Sequence, residues 1–304
     1  MASRTVRERS PSARIGALLS RYDDSGEDLD IDPEGWSEPE EVIEQPRDSF
    51  VDEAKADLKT LFEREPESVF YQRQLQVMFE RDYFHWITVR ALFELVQEGI
   101  LAAELMPLPG TGNIAFYRLS SYRYWKRDAD EVAKLVSRYS DSSFTYALGA
   151  QGETMFDAAL PTVGFMPTGW KVQSHGAAVW TKTRHDLDRI FERDGIAYGA
   201  EIKNTLSYIE RDELEIKVEM CRHLGLRPLF IVRMAPKSYV NFVAEAGGFT
   251  LIFKYQLYPF GEKAFADTIR DRLRLPTDSP RRIEDGTVKR FLDWHLRRLA
   301  NVGK

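Results

Sequence analysis

The stretch that most constrains this chain runs from 186 to 206, Asp-Leu-Asp-Arg-Ile-Phe-Glu-Arg-Asp-Gly-Ile-Ala-Tyr-Gly-Ala-Glu-Ile-Lys-Asn-Thr-Leu. Its spacing predicts two strands, over about 186–192 and 196–203, the second with Ile196, Tyr198, Ala200 and Ile202 at period two. Arg193-Asp194-Gly195 between them is a tight-turn signal, because glycine tolerates the positive φ that hairpin turns need. A hairpin centred on Asp194 and Gly195 brings Asp188 opposite the end of the second strand, beside Glu201. Glu201 and Lys203 are two apart and therefore share a face. Two carboxylates and a lysine converge on one patch. Carboxylate oxygens suit a hard divalent cation such as Mg²⁺, with Mn²⁺ as a substitute. A lysine beside such a cation can position or activate water, its pKa lowered by the cation and by partial burial. The plainer alternative is the solvated face of an ordinary antiparallel hairpin.

Asp188 followed by Glu201-x-Lys203 resembles the active-site motif of the PD-(D/E)XK nuclease superfamily, the restriction-endonuclease-like fold. Gly152-Glu153 opens a helical stretch, Glu153 to Leu160, that resembles the helix preceding the core strands in many of these enzymes. Glu213 to Leu224 is similar to the helix that follows the motif, and Arg227-Pro-Leu-Phe-Ile-Val-Arg233 to the buried strand after it. The resemblance covers about 145–260. It implies an α/β fold, a mixed sheet flanked by helices, and Mg²⁺-dependent hydrolysis of DNA phosphodiester bonds. It also implies that Asp188, Glu201 and the backbone carbonyl of Ile202 hold the metal, that Lys203 orients the water, and that Glu153 holds a second ion or a water. No proline precedes Asp188, and the following helix carries Lys217 where some subfamilies have a Gln-x-x-x-Tyr signature. Lys217 reads as a surface lysine, with reach to the site or to a phosphate as the alternative. His175 and His185 read as loop or edge residues.

The net charge of −6 is unevenly spread. Residues 1–49 hold six Lys/Arg against thirteen Asp/Glu, and the rest of the chain holds 36 against 35. The acidity sits in the first 49 residues, whose composition predicts a disordered, acidic tail. A near-neutral remainder neither requires nor excludes DNA, so local patches decide. No apolar run is long enough to cross a bilayer. Cys221 is the only cysteine, which rules out an internal disulfide and points to a cytoplasmic setting. Cys221 itself reads as a core residue.

Residues 50–120 predict helices over 51–62, 71–79 and 85–98, Gly99 as a helix stop, and strands over 101–106 and 114–119 around a Pro/Gly tip. Three helices and a β-hairpin resemble an α+β winged helix, a helix-turn-helix variant. Its exposed candidates for DNA contact are Arg73, Gln74, His85, Trp86, Thr88 and Arg90. Winged helices also serve as protein-contact modules. Residues 121–144 read as a linker helix. Residues 261–304 read as basic helices whose arginines either line a DNA path or form the outside of a packing helix. The combined expectation is a metal-dependent DNA endonuclease with a winged helix for DNA binding, with a homodimer as a possible assembly. The alternative is a non-catalytic DNA-binding or regulatory protein that uses an inert nuclease fold.

Overall fold

The computed structural model describes residues 48–108 and 112–302. Two compact units divide the chain, one ending at Asp141 and the other beginning at Ser142. The acidic stretch over 1–47 and the tip of the expected wing at 109–111 lie outside the described residues.

The first unit runs α1 (Phe50–Arg64), β1 (Phe70–Tyr71), α2 (Gln72–Met78), α3 (His85–Gln97), β2 (Leu101–Leu108), β3 (Gly112–Leu119) and α4 (Lys126–Tyr139). Helix α1 buries Val51, Ala54, Leu58, Leu61 and Phe62, the three-and-four spacing of one helical stripe. They meet Leu75, Ile87, Leu92, Leu95 and Tyr117 in one core. β2 and β3 pair antiparallel from Leu101↔Leu119 to Leu108↔Gly112. β1, absent from the sequence expectation, adds to the other side of β3 through Phe70↔Tyr117. Two residues are too short to display a period. α4, expected as a linker, belongs to this unit. It buries Ala129, Ala133 and Val136 and lies against β1.

The second unit opens with α5 (Ser142–Ala159) and a 3₁₀ turn (Leu160–Val163). Then come β4 (Met166–Val172), β5 (Ser174–His175), β6 (Ala178–Val179), β7 (Leu187–Arg193), β8 (Ile196–Lys203), α6 (Arg211–His223), β9 (Arg227–Val232), α7 (Lys237–Glu245) and β10 (Phe249–Ile252). β11 (Gln256–Leu257), α8 (Lys263–Leu273), β12 (Thr277–Asp278) and α9 (Asp285–Val302) complete it. The central sheet has the order β10-β9-β8-β7-β4. β4, β7 and β8 are antiparallel, whereas β8, β9 and β10 are parallel. The unit is therefore a mixed α/β sheet flanked by helices. β9 reads Leu-Phe-Ile-Val over 229–232 because both its faces are buried.

One face of the sheet gathers Phe156 of α5, Phe165, Tyr198, Ile202, Leu229, Ile231 and Phe291 of α9. The other gathers Leu187 and Ile190 with Met220, Cys221 and Leu224 of α6. α9 is integral to this core: Phe291 stacks on Phe165 with ring centroids 4.3 Å apart. Its outward residues Lys289, Arg290, Arg297 and Arg298 are exposed. α5 begins eleven residues before the expected start at Glu153, because Gly149 and Gly152 lie inside the helix rather than ahead of it. No helix among the described residues is long and apolar enough to cross a membrane.

Candidate active site

The β7–β8 turn sets the geometry. Asp194 and Gly195 both adopt positive φ, 52° and 72°, the left-handed pair that joins strands of right-handed twist. Register then follows from Arg193↔Ile196 to Arg189↔Ala200. One step further, the ladder gives way to a side chain: Asp188 Oδ2 accepts the Ile202 backbone N–H at 2.7 Å. Asp188 thus sits against the end of β8, beside Glu201. In an extended strand the N–H and C=O of one residue face the same neighbour, so the Ile202 carbonyl faces the gap that Asp188 closes.

α6 supplies the other wall. Its residues Glu213, Lys217 and Cys221 form an i, i+4, i+8 stripe that meets Lys203, Glu201 and Gly199 of β8 in turn. Glu213 Oε1 lies 2.8 Å from Lys203 Nζ, Lys217 Nζ lies 2.6 Å from Glu201 Oε2, and Cys221 Sγ lies 3.6 Å from the Gly199 carbonyl. The match is geometric. Four residues of helix advance about 6 Å, and two residues of strand advance about 6.6 Å. Gly199 is required here, since a Cβ at that position would lie 2.7 Å from Cys221 Sγ.

Asp188, Glu201, Lys203, Glu213 and Lys217 line one cleft of about 390 Å³, together with Arg184, His185 and Asp186. Burial, then repulsion from Asp188, pushes the Glu201 carboxyl above its ordinary range. Burial also raises Asp188, against the lowering effect of the Ile202 N–H and the two lysines. Lys203 is set by its carboxylate neighbours. Burial works to lower its pKa, but Glu201 and Glu213 more than offset this, and the net shift is upward. Lys203 is an ammonium held between the Glu201 and Glu213 carboxylates. Burial raises the Cys221 thiol to about 12, which fits a core residue and not a nucleophile.

The buried Glu201 and half-buried Asp188 carboxyls, beside a strand carbonyl, form a hard-oxygen donor set that suits Mg²⁺, a cation commonly held by one or two carboxylates plus water and phosphate. Among the described residues no group of three or more His, Cys, Asp or Glu side chains gathers as a metal cage. Glu153 does not line the cleft, but its charge bears on Asp188. Its Oε2 pairs with Arg189 Nη2 at 2.9 Å, and Arg189 also takes Asp157. Arg189 Nη1 donates to the Asp188 carbonyl at 2.7 Å, so the guanidinium steadies the Asp188 backbone while it occupies Glu153.

Lys217 is not a surface lysine: it is 4 % exposed. Its signal was the Glu213–Lys217–Cys221 stripe, which becomes readable only once α6 is set against β8. His185, expected as a loop residue, does lie in a loop, but it faces the cleft.

In the first unit the expected contact set divides. Arg90 is exposed, whereas Arg73 and Trp86 are half-buried. Gln74, His85 and Thr88 are buried, contrary to expectation. Gln74 Oε1 accepts the Tyr71 N–H, and Arg73 Nη1 lies 3.1 Å from His85 Nδ1. These polar groups are spent on the start of α2 and on its contact with α3. No protein-family model matches the chain, and no curated protein or solved structure matches it either.

Proposed function

We propose that the second unit is a metal-dependent phosphodiesterase of the PD-(D/E)XK type acting on DNA, and that the first is a winged helix that helps hold the duplex. The observation that carries this reading is the convergence of Asp188, Glu201 and Lys203 on one cleft at the end of the β7–β8 hairpin. Asp188, Glu201 and the Ile202 carbonyl would hold Mg²⁺. When bound, the cation would supply Lewis-acid polarisation of the phosphate and neutralise charge that builds on its oxygens. Lys203, fixed by Glu201 at 3.0 Å and Glu213 at 2.8 Å, is placed to donate to the attacking water or to a phosphoryl oxygen. The order of α5, β7, β8, α6 and β9 around the motif supports the same reading, as does the β1-β3-β2 sheet after three helices for the winged helix.

The test is cleavage of supercoiled plasmid, linear duplex, single-stranded and branched DNA with Mg²⁺, Mn²⁺ or EDTA. Metal-dependent cutting that Asp188→Asn abolishes is expected. Cutting in EDTA, or by Asp188→Asn at the parent rate, would sink the assignment.

A second reading, an inert nuclease fold used in a DNA-binding or regulatory protein, draws on one observation. Both Glu201 oxygens are already held by ammonium groups, Lys203 at one and Lys217 at the other. An inert unit would show no Mg²⁺-dependent rise in Tm.

A further inference from the structure

The loop entering β7 carries hydrogen-bonding groups that the proposed reaction leaves unused. Three cations line the cleft. Lys203 and Lys217 are both committed to Glu201, while among the described residues Arg184 has no ion-pair partner. Beside it, His185 meets Thr183: Nδ1 lies 2.9 Å from Thr183 Oγ1.

Thr183 Oγ1 decides the state of that ring. It accepts the Trp180 indole N–H at 3.0 Å and the His185 backbone N–H at 3.4 Å. Both of those groups can only donate, and a hydroxyl has two acceptor positions and one proton. With both positions taken, the hydroxyl proton goes to His185 Nδ1. Nδ1 then accepts, and the ring's donor is Nε2–H.

The loop is also anchored. Gln173 Nε2 donates to the Arg184 and His185 carbonyls at 3.2 and 3.1 Å, and Lys217 Nζ donates to the Asp186 carbonyl. Three consecutive carbonyls are thus held by side chains, and Trp180 is buried at 3 % exposure. This anchored backbone holds the Arg184 and His185 positions at the rim of the cleft.

We infer that Arg184 and His185 form a phosphate-binding edge of the cleft, in which His185 Nε2–H and the Arg184 guanidinium donate to phosphodiester oxygens of the nucleic-acid strand. The ligand class rests on the nuclease reading; the ring state does not. An oriented N–H donor beside an uncommitted guanidinium suits an anionic diester, with Arg184 supplying charge and His185 direction.

The experiment uses the full chain with ¹⁵N-labelled histidine. The ring signals of His185, identified by their loss in His185→Gln, are expected to show a protonated Nε2 and an accepting Nδ1. Thr183→Val, which removes the donor to Nδ1, should shift the Nδ1 signal. A short duplex oligonucleotide added with Ca²⁺ should shift the Nε2 signal. Arg184→Ala should weaken duplex binding about tenfold and reduce its salt slope by about one. His185→Gln, which keeps a donor near the Nε2 position, should retain binding that His185→Ala loses. A proton on Nδ1 in the parent overturns the inference. So does a duplex that binds weakly or not at all to the parent, or equally well to Arg184→Ala. Failure of the nuclease reading is separate: Asp188→Asn that still cuts would leave the ring pattern and the Arg184→Ala binding loss as they are.

Discussion

Lys217 Nζ lies 2.6 Å from Glu201 Oε2, and the two side chains are 5 % and 3 % exposed. A charge pair this deep is costly to break, because the remaining partner is left buried without its counter-ion. Lys217→Met should destabilise the protein by about 3 kcal/mol, the lower end of that cost, since Lys203 keeps the other Glu201 oxygen. The double variant Glu201→Gln/Lys217→Met should be less destabilised than the sum of its singles. Urea unfolding checks this. Additivity within about 0.5 kcal/mol would show that the pair is not coupled.

The same pair gives Mg²⁺ a measurable effect on stability. In Lys217→Met a divalent cation replaces charge that Glu201 has lost, so saturating Mg²⁺ should raise Tm more in the variant than in the parent. An equal or smaller rise would mean that the cation does not bind at Glu201.

Helix α5 contains two glycines with opposite prospects. A Cβ at Gly149 meets nothing within 4 Å, whereas one at Gly152 would lie 2.7 Å from Asn204 Cβ. Asn204 cannot retreat cheaply: its amide donates to the Leu148 and Leu257 carbonyls, and its Oδ1 accepts the Leu257 N–H, each at 2.7 Å. Gly149→Ala should stabilise by up to about 1 kcal/mol through helix propensity. Gly152→Ala should destabilise by about 1–2 kcal/mol through overpacking and should slow any cutting, because Asn204 follows Lys203 directly. Thermal unfolding of the two variants side by side reads both signs.

At the other end of the hairpin, Asp194 Oδ2 accepts from His295 Nε2 at 3.0 Å, and His295 Nδ1 meets the Tyr198 hydroxyl at 2.7 Å. His295, then Arg193, hold the Asp194 carboxyl below its ordinary range. A carboxyl whose folded pKa is depressed adds stability above its unfolded value, about 3.9, and loses it as pH falls through the folded value. Asp194→Asn keeps the left-handed turn and an acceptor oxygen while removing the charge. Its deficit in urea midpoint against the parent should be present at pH 6 and should close below about pH 4. A deficit that persists at low pH would assign it to shape and not to charge.

Much of this unit was legible in local pattern. The Asp194-Gly195 turn fixed the register of β7 on β8, and that register alone placed Asp188 beside Glu201. The apolar run over 229–232 marked a strand buried on both faces. What escaped was set by packing between distant segments. Lys217 looks like any charge on an amphipathic helix until α6 lies antiparallel over β8. Glu153 acts on Asp188 through its charge, and its pairing with Arg189, thirty-six residues on, was not visible in the sequence. The burial of Gln74, His85 and Thr88 follows from how α2 and α3 pack, and helical periodicity fixes a face without saying which neighbour covers it.

The most direct measurement is the single-turnover rate of DNA cleavage with Mg²⁺ for the parent and for Lys203→Ala. Loss of one positioned charge donor at the reacting phosphate predicts a fall of about 10²- to 10³-fold, with duplex binding in Ca²⁺ unchanged within about threefold. A Lys203→Ala protein that cuts at the parent rate would contradict the assignment of this cleft as the place where the phosphodiester bond is broken.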